Sequence, residues 1–181
     1  HFNKKISFVK MIHDILDLIR IFNDCFAQSH HTILVKGEDE PLYLPKSNDF
    51  PLHRIFFARG YFSSGLHEIA HWLIAGNARR ELEDYGYWYI PDGRDEIEQR
   101  AFEQVEVKPQ ALEWILADAC AYQFQVSVDN LNGPPMDIAA FREAILTEKH
   151  RMLNLGLSAR TERLCHALKS FYHNAVRELD Y

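Results

Sequence analysis

The 181-residue sequence is poor in cysteine, with three, and modest in glycine and proline, with eight and seven. Cys25, Cys120 and Cys165 are far apart and odd in number, and no CxxC pair occurs. That excludes a disulfide scaffold and a thiolate zinc knuckle, and it suits reduced, buried thiols. No run approaches the roughly 18 apolar residues that a membrane span needs. No Gly/Ser linker, internal repeat or low-complexity tract divides the chain. An excess of basic charge is missing as well: 20 Lys and Arg face 26 Asp and Glu, a net charge of −6. This argues against nucleic-acid binding through bulk charge and against attachment to a membrane surface.

What is present is an ordinary globular composition, 47% apolar or aromatic, enough for one well-filled core. Residues 1–10 are basic, but Asp14 and Asp17 interrupt what would be the apolar part of a signal peptide. This stretch reads as a vector remnant or upstream leftover. Met11 is then a candidate natural start, and 11–181 forms a single domain.

The periodicity predicts an amphipathic helix from Met11 to Ala27, with Ile12, Ile15, Leu16, Ile19, Phe22 and Phe26 on one face. Short strands follow at Thr32–Lys36, Leu42–Leu44 and Arg54–Ala58. Ser63 or Ser64 caps a helix that runs to Ala75 and stops at Gly76. Tyr85–Ile90 reads as an aromatic strand. Glu96–Val107 reads as a helix, and Pro109 as the first residue of another, Gln110–Gln123. Asn130–Pro135 is a loop. Two helices, Asp137–Asn154 and Thr161–Asn174, close the chain. The fold class is α+β: a helix-rich single domain with a small mixed sheet.

The segment Leu66-His67-Glu68-Ile69-Ala70-His71-Trp72 contains H-E-x-x-H within a predicted helix. Imidazoles four residues apart stand one above the other, so both can grip one ion, while Glu68 is turned aside toward a metal-bound water. Glu68 is therefore the candidate catalytic base and not a ligand. Two histidines do not hold a catalytic ion alone. Glu81, Glu83, Asp84, Glu103, Glu106 and His150 are candidates for the third position. Glu106 lies 35 residues past His71, between Val105 and Val107, where a carboxylate at the core edge needs a partner.

The sequence resembles the bacterial elongation factor P hydroxylases over almost its whole length, from Ile19-Arg20-Ile21-Phe22-Asn23 to Phe171-Tyr172-His173. The matching blocks include residues 35–41, Leu66–Trp72, 74–82, 85–89, 91–95, 102–112 and 129–131. The resemblance implies a cytoplasmic, monooxygenase-type oxidoreductase. It would hydroxylate the β-lysylated lysine of translation elongation factor P, the last step of that modification. It maps the metal ligands onto His67, His71 and a glutamate, assigned to Glu106 with Glu103 as fallback. Fe(2+) is then the expected metal and molecular oxygen the co-substrate. The implied fold is zincin-like or rRNA-maturation-endonuclease-like. A monomer is expected, with neither nucleic acid nor membrane as direct partner. Asp92, Asp95, Glu96 and Glu103 are candidates to hold the cationic adduct. Arg79, Arg80 and Arg94 could meet an acidic partner protein, and one of Tyr87 and Trp88 could line the pocket.

Three rival readings remain from the residues themselves. A zinc metallopeptidase would use His67, His71 and Glu106 with Glu68 activating water. A metal-dependent ribonuclease needs a basic groove, which the net charge disfavours. A binding module with structural zinc would normally use cysteine, and none of the three is near the motif.

Overall fold

The computed structural model describes residues 11–84, 95–128 and 137–178. The expected strand at Tyr85–Ile90, the loop at Asn130–Pro135 and residues 1–10 lie outside them, in whole or in most part. Helix α1 spans Ile15–Phe26, opened by Asp14, whose carboxylate accepts from the Leu16 N–H at 2.9 Å. It buries Leu18, Ile21, Phe22, Cys25 and Phe26. Ile12 and Leu16, expected on that face, are instead exposed, at 84% and 68%. Ile12 precedes the first helical turn, so the helical spacing does not apply to it.

Strands β1 (Thr32–Lys36), β2 (Leu42–Leu44) and β3 (His53–Phe57) form one sheet in the order β1-β3-β2. The central β3 pairs parallel with β1, Thr32 opposite His53, and antiparallel with β2, Leu42 opposite Phe56. The sheet is therefore mixed. Alternation turns His53, Ile55 and Phe57 inward on β3. Past β3 the chain reverses through a 3₁₀ turn at Ala58–Gly60, where Gly60 has φ +70°. The positive φ is what suits glycine here, since the one close neighbour of an added Cβ, Lys36 Cε, lies near the end of a flexible side chain that can move aside.

Helix α2 (Phe62–Ile74) lies on the inner face of the sheet; Tyr61 precedes it without a side-chain cap. Ser63 and Ser64 sit inside the first turn, so the expected serine cap is wrong. α3 (Asn77–Arg80) is a single short turn. α4 is one helix, Glu96–Ala119, opened by a capping box between Asp95 and Glu98. Pro109 is buried inside it and does not start a new helix. An interior proline costs roughly 3 kcal/mol of helix propensity. Here Phe102, Glu106, Gln110, Leu112 and Leu116, on both sides of the proline, are all buried, and this packing holds the two halves in one rod. α5 (Ile138–Leu155) and α6 (Ala159–Glu178) complete the α+β fold; the last helix begins two residues earlier than the periodicity suggests.

The core joins these layers. Phe22, Phe26 and Trp72 pack ring to ring at 4.9–5.3 Å, tying α1 to α2. Leu116, Ile145, Leu164, Leu168 and Tyr172 join α4, α5 and α6, each at most 1% exposed. Full burial of each such side chain contributes about 1.5–3 kcal/mol. All three cysteines are free and buried. No described helix is long and apolar enough to cross a membrane.

Candidate metal centre

The site forms where α2 crosses α4. On α2, His67 and His71 are one turn apart, and their Nε2 atoms are 3.1 Å from each other. On α4, Phe102, Glu106, Gln110 and Glu113 recur at intervals of three or four residues and so share the face turned to α2. Glu106 is 1% exposed. Its Oε1 lies 3.3 Å from His71 Nε2 and its Oε2 3.6 Å from His67 Nε2. Two imidazole nitrogens and one carboxylate thus converge, all within 4.8 Å of one another.

The donor set fits a single divalent ion. Donors bound at about 2.1 Å, at angles between right and tetrahedral, stand roughly 3.0–3.4 Å apart. The imidazole nitrogens, at 3.1 Å, and the contacts of each with one or the other Glu106 oxygen, at 3.3 and 3.6 Å, lie in or near that range. Two imidazoles and one carboxylate also match the donor set of non-haem iron sites, with coordination positions left open.

A second carboxylate, not among the candidates read from the sequence, completes the arrangement. Glu113 Oε2 lies 2.7 Å from His67 Nδ1, and Glu113 is 6% exposed. The bond keeps a ring proton on Nδ1 and leaves Nε2 as the atom that faces Glu106 and His71 and could bind an ion. Glu113 follows Glu106 by seven residues, two helical turns, on the same buried face, a relation that holds only because α4 runs unbroken through Pro109.

The charges of the group reinforce one another. Burial pushes the His67 pKa down, but the charge and hydrogen bond of Glu113, with Glu106, outweigh it and raise it to about 10. Burial pushes Glu106 up, but the hydrogen bond from His71 and the two imidazole charges bring it down to about 2. Gln110, fully buried, donates to Glu106 Oε2 at 3.4 Å and to the Ser127 carbonyl at 2.7 Å, and accepts from the Ser127 N–H. Gln110 thus ties the Glu106 Oε2 to the Ser127 backbone.

Glu68 is outside the donor cluster and lines a groove beside His71. Burial raises its pKa, with His67 and His71 pulling the other way. Leu42, Ile55, Trp72 and Ala75 form the apolar wall of this groove.

The other third-ligand candidates stand apart from the cluster. Glu81, Glu83 and His150 are exposed, and Glu103 is half-buried. Asp84 pairs with Arg79 at 2.7 Å and forms a bridge to Tyr43. Asp95 is engaged in the capping box, and Glu96 is exposed. Arg80 donates to the Trp72 carbonyl near the end of α2. Asp92, Arg94, Tyr87 and Trp88 lie outside the described residues.

Fold and donor set define the class: a helix-rich α+β protein with a three-donor cluster suited to one divalent ion. The model of the elongation factor P hydroxylase family matches residues 21–181. The chain is 55% identical over 162 residues to the elongation factor P lysine hydroxylase of Haemophilus influenzae, covering 90% of this chain and 91% of that protein. The chain belongs to the elongation factor P hydroxylase family. The expectation of a hydroxylase, an oxidoreductase-type enzyme, holds; the peptidase alternative gains no support.

Proposed function

We propose that the protein hydroxylates the β-lysylated lysine of elongation factor P, with Fe(2+) held by His67, His71 and Glu106 and molecular oxygen as co-substrate. The observation that carries this reading is the two-imidazole, one-carboxylate cluster in a chain of this family. Iron in such a donor set supplies the redox chemistry that oxygen activation needs. One oxygen atom enters a C–H bond of the substrate. The other leaves as water, with two electrons and two protons from an external reductant.

The protein's own groups would hold and orient. His67 and His71 present Nε2, and Glu113 fixes the His67 ring through Nδ1. Gln110 restrains the Glu106 carboxylate. The wall of Leu42, Ile55, Trp72 and Ala75 suits the methylenes of a lysyl chain, and Glu68 is placed to meet an ammonium or to hold a proton near the donors. The three-stranded sheet with the H-E-x-x-H helix laid on it supports a likeness to zincin-type and endonuclease-type domains, formed as one domain over 11–181. A cytoplasmic, monomeric enzyme that meets elongation factor P without nucleic acid or membrane fits this reading.

The test is mass spectrometry of lysylated elongation factor P after incubation with the protein, ferrous iron and a reductant under air. A gain of one oxygen on the modified lysine is expected. No gain, with the metal shown to be bound, refutes the reading.

A further inference from the structure

We propose that the cavity behind Trp72 is a binding site for a small oxyanion, a phosphate or carboxylate group, held by Arg160 with Arg80 and His53. The cavity is lined by residues from the sheet, α2, α3 and the start of α6, among them His30, Thr32, His53, Asn77, Arg80 and Arg160. Arg160 Nη1 is buried and has no hydrogen-bond partner. No described carboxylate forms an ion pair with Arg160. Arg160 as a whole is half-buried, but a buried guanidinium N–H without an acceptor is costly, and an anion in the cavity removes that cost.

The neighbours are also cationic. Arg160 and Arg80 both lie over the Trp72 ring, at 5.1 and 5.3 Å from its centroid, so one indole carries two guanidinium groups. Arg80 spends hydrogen bonds on the Trp72 carbonyl and on Asn77 Oδ1. Burial, with the charges of Arg160, Arg163 and Arg80, pushes the His30 pKa down, the mark of a positive field. Glu81 is the one carboxylate of the lining; it is exposed and pairs with neither arginine among the described residues.

His53 adds a neutral donor. Its Nδ1 accepts from the Lys46 N–H at 3.1 Å, which places the ring proton on Nε2. The fork of an arginine matches carboxylate and phosphate oxygens, and a halide cannot use that geometry. The cavity shares Tyr43, Trp72 and Arg80 with the groove beside His71, yet no metal donor lines it.

The test is nuclear magnetic resonance of the arginine Nε–H signals in the full-length protein, titrated with inorganic phosphate or with acetate. Sodium chloride at matched ionic strength is the control. Arg160→Met assigns the Arg160 signal. That signal should move saturably with phosphate or acetate and not with chloride, and the stronger probe identifies the preferred oxyanion. In Arg160→Met the anion-induced shift of the Arg80 signal should need about tenfold more anion or be lost, as removal of a charge-assisted bond implies. Arg160→Lys, which keeps the charge and loses the fork, should weaken it as well. The response should persist in His67→Ala, which separates it from an anion bound to a metal. Melting of Arg160→Met without anion should be at or above that of the parent. Equal response to chloride, absence of saturation, or undiminished phosphate and acetate affinity in both Arg160 variants overturns the proposal.

Discussion

His67 Nδ1 and Glu113 Oε2 are 2.7 Å apart, and this bond decides which nitrogen of His67 faces Glu106 and His71. Outer partners of metal-bound histidines typically affect metal affinity 10–100-fold when replaced. Glu113→Gln is therefore expected to weaken divalent-metal binding by about one order of magnitude. His67→Ala, His71→Ala and Glu106→Ala should abolish tight binding. Competition with a chromophoric chelator measures both effects. Unchanged affinity in Glu113→Gln refutes the orienting role, and undiminished metal in both histidine variants refutes the site.

The pH dependence follows from the same bond. In the metal-free protein His67 is pushed up to about 10 and is protonated at neutral pH. A metal must displace that proton, so affinity should rise with pH through the neutral range, with proton release on binding. For the metal-free fold the sign is the reverse. A raised histidine pKa contributes stability that is full below about 6.5, the unfolded value, and is lost as pH rises toward about 10. The depressed Glu106 contributes stability above its ordinary value of 4.5 that is lost as pH falls toward about 2. Chelator-treated protein should therefore melt at progressively lower temperature from pH 6.5 to 10, and Glu113→Gln should flatten that slope. A slope unaffected by Glu113→Gln contradicts the assignment of the proton to this pair.

Gln110 supports a third expectation. Its side chain makes two hydrogen bonds to the Ser127 backbone and a longer one to Glu106. Gln110→Ala should destabilise the fold by about 1–3 kcal/mol, the usual cost of removing buried polar partners, and should weaken metal binding by loosening Glu106. Urea denaturation and the chelator assay read the two effects. Gln110→Leu should bind metal no better than Gln110→Ala, since it restores volume and no donor.

The convergence of His67, His71 and Glu106 was partly legible in the chain because the histidine signal is local. His67 and His71 share a helix face by spacing alone, and Glu106 was singled out by its flanking valines, although Val105 is in fact 49% exposed and Glu106 alone of residues 103–108 is buried. Glu113 was missed because the expected break at Pro109 placed Glu106 and Glu113 on different helices; in the single helix α4 they share a face, and the crossing of α2 and α4 brings Glu113 to His67. Pro109 was misread because a local breaker was weighed without the packing that overrides it. Ser63 and Ser64 have the right chemistry for a cap, but the helix starts at Phe62 with Tyr61 in the cap position, so the two serines fall inside its first turn. The register of β1, β2 and β3 depends on long-range pairing, which no local pattern specifies.

The last expectation concerns which metal supports the reaction. Zinc and iron both suit two imidazoles and a carboxylate, so variants of His67, His71 or Glu106 do not discriminate between them. Their redox properties do. Zinc has no redox chemistry and cannot support oxygen activation; ferrous iron can. Iron-loaded protein under air, with a reductant, should add one oxygen to lysylated elongation factor P, and the same protein without oxygen should add none. Zinc-loaded protein should be inactive, and added zinc should inhibit the iron form by occupying His67, His71 and Glu106. The unlysylated factor should react poorly, because it lacks the second ammonium that Glu68 is proposed to meet. Glu68→Gln should lower turnover while the metal stays bound, since Glu68 is outside the donor cluster. Loss of the metal in Glu68→Gln would make Glu68 a ligand. Oxygen-independent cleavage of the factor by the zinc form would replace the hydroxylase mechanism with a hydrolytic one.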